Sequence, residues 1–543
     1  MTGAPDGVSG APDGAVTSIS RSVAGMGAAA AVSRAFGGLR MVVIAAVLGT
    51  TYLGNTFQAS NSVSNVLFEL LAAGALSAVL VPTFVDLLGR GEQRRAEEVA
   101  GGVLSIALVG LAAVTLVGML LAPVLARILT SGVADAAVAA DQRALATFLL
   151  RFFIPQVLLY AIGAVTTAVL HARGSFALTS AAPIGNTVVV VVALLVFRSM
   201  AGVSPGLDLS TGPRLCLALG GTLGVAAFVG VPALGLRRSG FRLRLGVRRA
   251  VGDRDVRRLL RLSGWAALQH SGTAILLAAA LVVAGGVAGG VVAYQLAMVV
   301  FLAPYGILAQ PIHTAVLPRL ARHASAGDDA ALHGALRWAA DAMAAVTVPV
   351  AAALVALSLP IMRSLAFGEA AGDRSPELLA GALLGLAVGV PAYGGFLLLT
   401  RAAYALGDSR TPALASLGSA ALGATVMVGA GGQVTGVARL VVVGLAHTLA
   451  YAVGGVVLAV RLHPRVGSLV DLAQVRTLGL AAVLGAGLWA GMSWWAPEGR
   501  LMTMVALTVL VGAGAAAYVV VQQAVGGFPG REPAGELRAE GAR

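Results

Sequence analysis

Apolar stretches long enough to cross a lipid bilayer recur from about residue 24 to residue 524, separated by short polar or glycine-rich turns. A span needs about 20 apolar residues. In hydrocarbon every backbone N–H and C=O must be satisfied within the structure, which leaves helices or a closed barrel. Barrel strands read as alternating segments of about 10 residues, whereas these runs are continuous. The chain is therefore expected to be all-α, a polytopic membrane protein of about fourteen transmembrane helices. Composition agrees: 58% of residues are hydrophobic and 11% charged, against roughly 25% charged in soluble domains.

The expected spans are approximately 24–50, 60–88, 98–127, 144–170, 176–197, 215–236, 260–283, 286–317, 335–366, 376–404, 412–431, 438–460, 475–495 and 501–524. The seventh and eighth divide at the Gly285–Gly290 cluster. Cytoplasmic loops of membrane proteins concentrate arginine and lysine. This chain has no lysine; twenty arginines fall after even-numbered spans and eight after odd-numbered ones. That bias places both termini in the cytoplasm and assigns the net charge of +13 to membrane topology. No basic stripe interleaved with aromatics points to nucleic acid. The 71 glycines permit close helix approach and equally fit a GC-rich genome. The single cysteine, Cys216, rules out an intrachain disulfide.

An internal repeat divides the chain. Span 2 ends LSAVLVPTF with Pro82 and span 8 ends IHTAVLPRL with Pro318; span 4 ends in Gly174 and span 10 in Gly407. The offsets are 318 − 82 = 236 and 407 − 174 = 233 residues. Two matches at nearly one offset imply duplication, and six intervening spans make the repeats parallel. The expected organisation is a polar tail (1–22), an N-lobe (23–236, spans 1–6), a basic cytoplasmic linker (237–259), a C-lobe (260–462, spans 7–12), two appended spans (463–526) and a second polar tail (527–543). Two such lobes enclose a central cavity that opens to alternate sides as they rock.

Charged and polar residues inside spans are the functional candidates, because lipid penalises them. Arg34 and Arg40 lie in span 1, roughly 120° apart and about 9 Å along the axis of a helix. They either border one cavity, where guanidinium suits phosphate, or snorkel to headgroups. Span 2 carries Asn55, Gln58, Asn61, Asn65 and Glu69, and the last four share a helix face. That face lines a cavity or makes interhelical hydrogen bonds, and Glu69 is a candidate partner for an arginine. Arg151, Asp341 and Arg401 are further candidates, as interface anchors, structural ion pairs or transport groups. His270, His313 and His447 are isolated and read as packed rather than proton-carrying. No phosphate-binding loop, H-E-x-x-H motif or Cys/His metal cluster occurs, so no cofactor or metal is expected.

The stretch from SRAFGGLRMVVIAAVLGTTYLGNTFQASNSVSNVLFELLAAGALSAVLVP, together with LLRFFIPQVLLYAIGAVTTAVLHARGSFALTSAAPIGN, GGTLGVAAFVGVPALGLRRSGFRLR and LLTRAAYALGDSRTP, resembles the MurJ/MviN family of lipid II flippases. That family lies within the multidrug/oligosaccharidyl-lipid/polysaccharide exporter superfamily. The resemblance implies a fourteen-helix, two-lobed transporter in the cell membrane. Its implied activity is to move undecaprenyl-diphosphate-linked disaccharide-pentapeptide to the outer leaflet for peptidoglycan synthesis. The implied partners are the lipid-linked precursor, membrane lipids and cell-wall synthesis proteins. The family's cavity arginines match Arg34 and Arg40, and its span-2 asparagine matches Asn65, with Ser64 replacing the preceding proline. Departures are Asn55 and Ala73 where the family is commonly acidic, Phe68 and Val299 where it has arginines, and Glu69 where it has a basic residue. The acidic pair proposed to hold sodium in some relatives is missing from spans 7, 11 and 12. Alternatives are an exporter of another polyprenyl-linked glycan or amphiphile, and a transport-deficient paralogue acting as a cell-wall scaffold.

Overall fold

The computed structural model describes residues 32–70, 74–262, 264–372, 374–469 and 472–525. The tails expected at 1–22 and 527–543, the first residues of span 1, and Ala73 lie outside the described residues. Within them the chain is helical, without a strand. The first half comprises α1 (32–48), α2 (Tyr52–Phe68), α3 (Gly74–Gly89), α4 (Gln93–Leu120), α5 (Ala122–Leu129), α6 (Ala136–Phe153), α7 (Gln156–Ala172), α8 (Phe176–Ala201) and α9 (Thr211–Arg238). Two short helices follow, α10 (Val247–Gly252) and α11 (Arg254–Leu262). The second half comprises α12 (Gly264–Gly285), α13 (Gly290–Pro304), a π-helical turn (Tyr305–Ala309), α14 (Gln310–Ala326), α15 (Asp329–Ala356), α16 (Ser358–Leu365), a 3-10 turn (Gly368–Ala371), α17 (Ser375–Ala387), α18 (Val390–Ala405), α19 (Arg410–Gln433) and α20 (Gly436–Val466). The chain closes with α21 (Leu472–Trp495) and α22 (Gly499–Ala524).

Among the described residues, eleven helices are long and apolar enough to cross a membrane, and twelve if α17 and α18, bent by 42° at their junction, form one span. The other two expected spans are α1, which begins at the edge of the described residues, and α2–α3, which flank residues 71–73 outside the described set. The second span also begins earlier than hydropathy indicates, at Tyr52 rather than residue 60. Its first two turns are polar but buried. They face protein, where polar side chains find partners that lipid does not offer.

The repeat is visible in the packing. In the first half α8 packs on α9, α7 on α9, α2 on α6 and α3 on α7. In the second half, six spans later, α19 packs on α20, α18 on α20, α13 on α17 and α14 on α18. The matched glycines end their helices identically. Gly174 (φ 71°) and Gly407 (φ 76°) are left-handed, and the amide after each reaches five residues back, Ser175 N to Leu170 O and Asp408 N to Ala403 O, both at 2.9 Å. This closure needs a left-handed residue that glycine supplies without a Cβ clash. Two parallel helical lobes result, with α21 against α15 and α22 against α16 and α21.

The lobes meet through two hairpins, α1–α2 and α12–α13, whose apolar residues share one core with Leu53, Phe57, Leu281, Val291 and Ala297. The basic stretch 237–259 is docked on the end of α4. The Glu97 carboxylate accepts from Arg242 N at 3.0 Å and Arg244 Nε at 3.1 Å. Arg95 holds Asp253 at 2.7 and 2.9 Å and Asp255 at 2.5 Å. The Arg95 guanidinium keeps the Asp253 carboxyl below the usual carboxylate range.

Candidate functional site: an arginine-lined cleft between the lobes

Helix α1 presents Arg34, Gly37, Gly38 and Arg40 to α13. The two glycines remove side chains from this face, and a Cβ on Gly38 would stand 3.5 Å from Val299 Cγ1. Between α1, α2, α12 and α13 lies a cleft of about 430 Å³, lined by Arg34, Arg40, Ser62, Asn65, Tyr294, Gln295 and Val299 among others. Both span-1 arginines therefore face one cavity.

The two guanidinium groups differ in their partners. Arg34, exposed at the mouth, donates from Nη1 to Gly306 O at 2.8 Å and from Nη2 to Gln310 Oε1 at 2.6 Å. It thereby bridges the N-lobe to the π turn and α14 of the C-lobe. Gly306 makes this possible, since a Cβ there would lie 2.5 Å from Arg34 Cζ. Arg40 lies deeper and, among the described residues, meets no carboxylate and no hydrogen-bond acceptor; the neutral Tyr160 phenol lies nearby. An unpaired guanidinium inside a span is costly unless water or an anion reaches it.

The span-2 residues separate along the helix. Asn65 lines the cleft. Asn55 and Gln58 do not: both are buried. Asn55 caps the start of α13, donating to Val287 O at 2.7 Å and accepting from Val291 N at 2.9 Å, and Gln58 Nε2 points to Met41 Sδ at 3.2 Å. Asn61 is partly exposed, with its Oδ1 buried and without a hydrogen-bond partner among the described residues. Glu69 pairs with His270 Nδ1 of α12 at 3.4 Å and with no arginine among the described residues. Arg151 is exposed on α6 and lies outside the cleft lining. Asp341 accepts from Gln474 Nε2 at 3.0 Å and ties α15 to α21. Arg401 stands near Tyr305, His313 and Tyr393 in the C-lobe. His313 and His447 are buried against tyrosines, at 2.7 Å to Tyr305 and 3.1 Å to Tyr294.

Three contributors escaped the sequence reading: Gln295, whose Nε2 meets Ser62 Oγ at 2.7 Å across the cleft, and Gly306 and Gln310, which hold Arg34. The two glutamines are polar residues in an apolar span, the signal used for span 2 and not applied to span 8.

The cleft is closed firmly at the end opposite Arg34. There Gly289 (φ 73°) abuts Thr50, with a Cβ position 2.3 Å from the Thr50 carbonyl carbon. Thr50 Oγ1 meets Ser375 Oγ at 2.5 Å. Glu369 accepts from Arg198 Nη1 and Ser204 Oγ, each at 2.5 Å.

The two-lobed helical fold around this cleft can be set against known families. The family model described as "Lipid II flippase MurJ" matches residues 44–510. The chain belongs to the MurJ family. A probable lipid II flippase MurJ of Rhizobium tropici is 29% identical over 395 residues, covering 71% of each chain. The corresponding protein of Rhizobium meliloti (strain 1021) is 29% identical over 409 residues, covering 73% of this chain and 72% of its own. Among solved structures, lipid II flippase MurJ in an inward closed conformation superposes with a TM-score of 0.71 at 15% identity, covering 92% of this chain and 99% of its own. An inward-facing multidrug-resistance MATE transporter of the MOP superfamily gives 0.64 at 14% identity, covering 81% and 98%. MurJ proteins are transporters, and the MATE likeness shows the same fold. Against the MurJ pattern, Val299 faces the cleft without a charge, while Phe68 packs on Tyr160 at 5.6 Å between ring centroids. The cationic lining thus rests on α1.

Proposed function

We propose that this protein is a lipid II flippase whose diphosphate-binding groups are Arg34 and Arg40. The observation that carries the reading is Arg40, a permanently charged group held between the lobes without a counter-ion among the described residues. A diphosphate supplies the missing acceptors, with forked donors meeting phosphate oxygens. Fourteen spans with both termini in the cytoplasm place the Arg34 mouth on the cytoplasmic side, facing the leaflet from which the precursor enters.

The cycle follows from the contacts. Phosphate oxygens replace Gly306 O and Gln310 at the Arg34 guanidinium, and the head group settles against Arg40, Asn65 and Gln295. The polyprenyl tail stays in the bilayer. Export then requires the Asn55, Gly289 and Glu369 contacts to part while the Arg34 end closes, driven by the membrane potential or an ion gradient.

The test is rescue of cells depleted of their own flippase, with lipid II exposure at the outer surface read directly. Arg40→Ala should lower transport about tenfold or more, the loss expected for a charge-assisted contact, and Arg34→Ala should impair it too. Rescue indifferent to both substitutions would remove the assigned site. No rescue by a correctly inserted wild-type chain would favour export of another polyprenyl-linked glycan.

A further inference from the structure

A second cavity lies away from the arginine cleft and shares none of its residues. It is a groove of about 530 Å³ between α19 and α20. One wall carries Arg410, Leu414 and Gly418, the other Val453, Val457 and Arg461. Each set repeats every four residues, so each forms a stripe along one helix face, about 12 Å long. The helices run antiparallel, and both arginines fall at the same end.

Charge is concentrated at that end and absent along the rest. Arg410 and Arg461 are exposed, and neither side chain has a hydrogen bond or ion pair among the described residues. Asp408 lies beside Arg410 in sequence, but its carboxylate accepts from Arg410 N at 3.0 Å and Thr411 N at 2.9 Å. The Arg410 guanidinium sits 5.9 Å from the Trp265 ring centroid. Below Arg410, Thr411 and Arg461 the walls are apolar except for Ser419, whose hydroxyl donates to Ser416 O at 3.2 Å, and the same two helices expose Leu422, Val428, Val456 and Val460. Such exposure requires hydrocarbon around the groove.

We propose that this groove binds an acidic glycerophospholipid of the surrounding leaflet, its phosphate between Arg410 and Arg461 and one acyl chain along Leu414, Gly418, Val453 and Val457. Basic pockets between helices at the cytoplasmic face suit anionic headgroups. On the orientation proposed above this is the cytoplasmic leaflet, and lipid binding itself does not depend on what the central cleft transports.

Native mass spectrometry of the full chain in detergent, titrated with phosphatidylglycerol, tests this. The wild type should retain one phosphatidylglycerol in preference to phosphatidylcholine. Arg410→Gln with Arg461→Gln should weaken that binding about thirtyfold, at roughly one kcal/mol per arginine. Gly418→Phe leaves both arginines in place and projects into space where a Cβ meets nothing within 4 Å. It should fold and also lose the lipid. The proposal fails if both variants bind phosphatidylglycerol like wild type, or if phosphatidylcholine binds equally well. It fails too if undecaprenyl diphosphate displaces the lipid one for one from the wild type, which would assign the groove to the transported substrate.

Discussion

Gly306 lies under the Arg34 guanidinium so closely that a single methyl group would displace it. Alanine suits a helix better than glycine by about 1 kcal/mol, so Gly306→Ala should fold normally while pushing Arg34 off Gly306 O and Gln310. The bridge across the mouth would then be lost. In a Cys216→Ser background carrying Asn65→Cys as a probe, Gly306→Ala should speed labelling by a membrane-impermeant maleimide about tenfold, the effect of losing one charge-assisted contact. Equal labelling rates would show that Arg34 does not gate the cleft. This contact was not legible beforehand. The spacing of Arg34 and Arg40 on α1 allowed one shared cavity and equally allowed snorkelling, the partner lies 272 residues away, and the carbonyl it uses belongs to a π turn that no periodicity announces.

At the scale of elements, the closed end depends on how the 3-10 turn at Gly368–Ala371 meets α8. The Ser204 hydroxyl and the Arg198 guanidinium hold the Glu369 carboxyl below its ordinary range. A carboxyl depressed in the folded state stabilises that state fully above its unfolded pKa and loses the effect as pH falls through the folded value. Electron-electron distances between spin labels at Val203 and Arg374, both exposed, should therefore stay constant from about pH 8 to about pH 5. Glu369→Gln should broaden them severalfold at every pH in that window. A wild-type shift within the window, or a silent Glu369→Gln, would remove this pair from the closure. The same end shows why the second span was placed late. Asn55 and Gln58 look like poor membrane residues because their partners, the amide and carbonyls at the start of α13 and Met41, belong to other elements. Hydropathy registers contact with lipid, and these side chains touch only protein.

For the whole molecule, the two-lobe plan was legible because duplication leaves its mark in sequence. Pro82 and Pro318, Gly174 and Gly407, recur at nearly the same offset, and the glycine pair closes its helices with the same hydrogen bonds. The proposed orientation, with both termini in the cytoplasm, rests on a different physical rule, the retention of arginine on the cytoplasmic side during insertion. The docked segment 237–259 strengthens it. Arg95 and Arg244 are paired with carboxylates there, yet Arg237, Arg238 and Arg248 remain exposed at the same end, and translocating them would be expensive. Fluorescent-protein fusions at either terminus should therefore fluoresce, whereas a periplasm-dependent phosphatase inserted at Asp208, in the exposed turn between α8 and α9, should be active. Phosphatase activity at the termini would invert the molecule. The Arg34 mouth would then face the leaflet to which the precursor is delivered, and the arginines would act in release rather than capture.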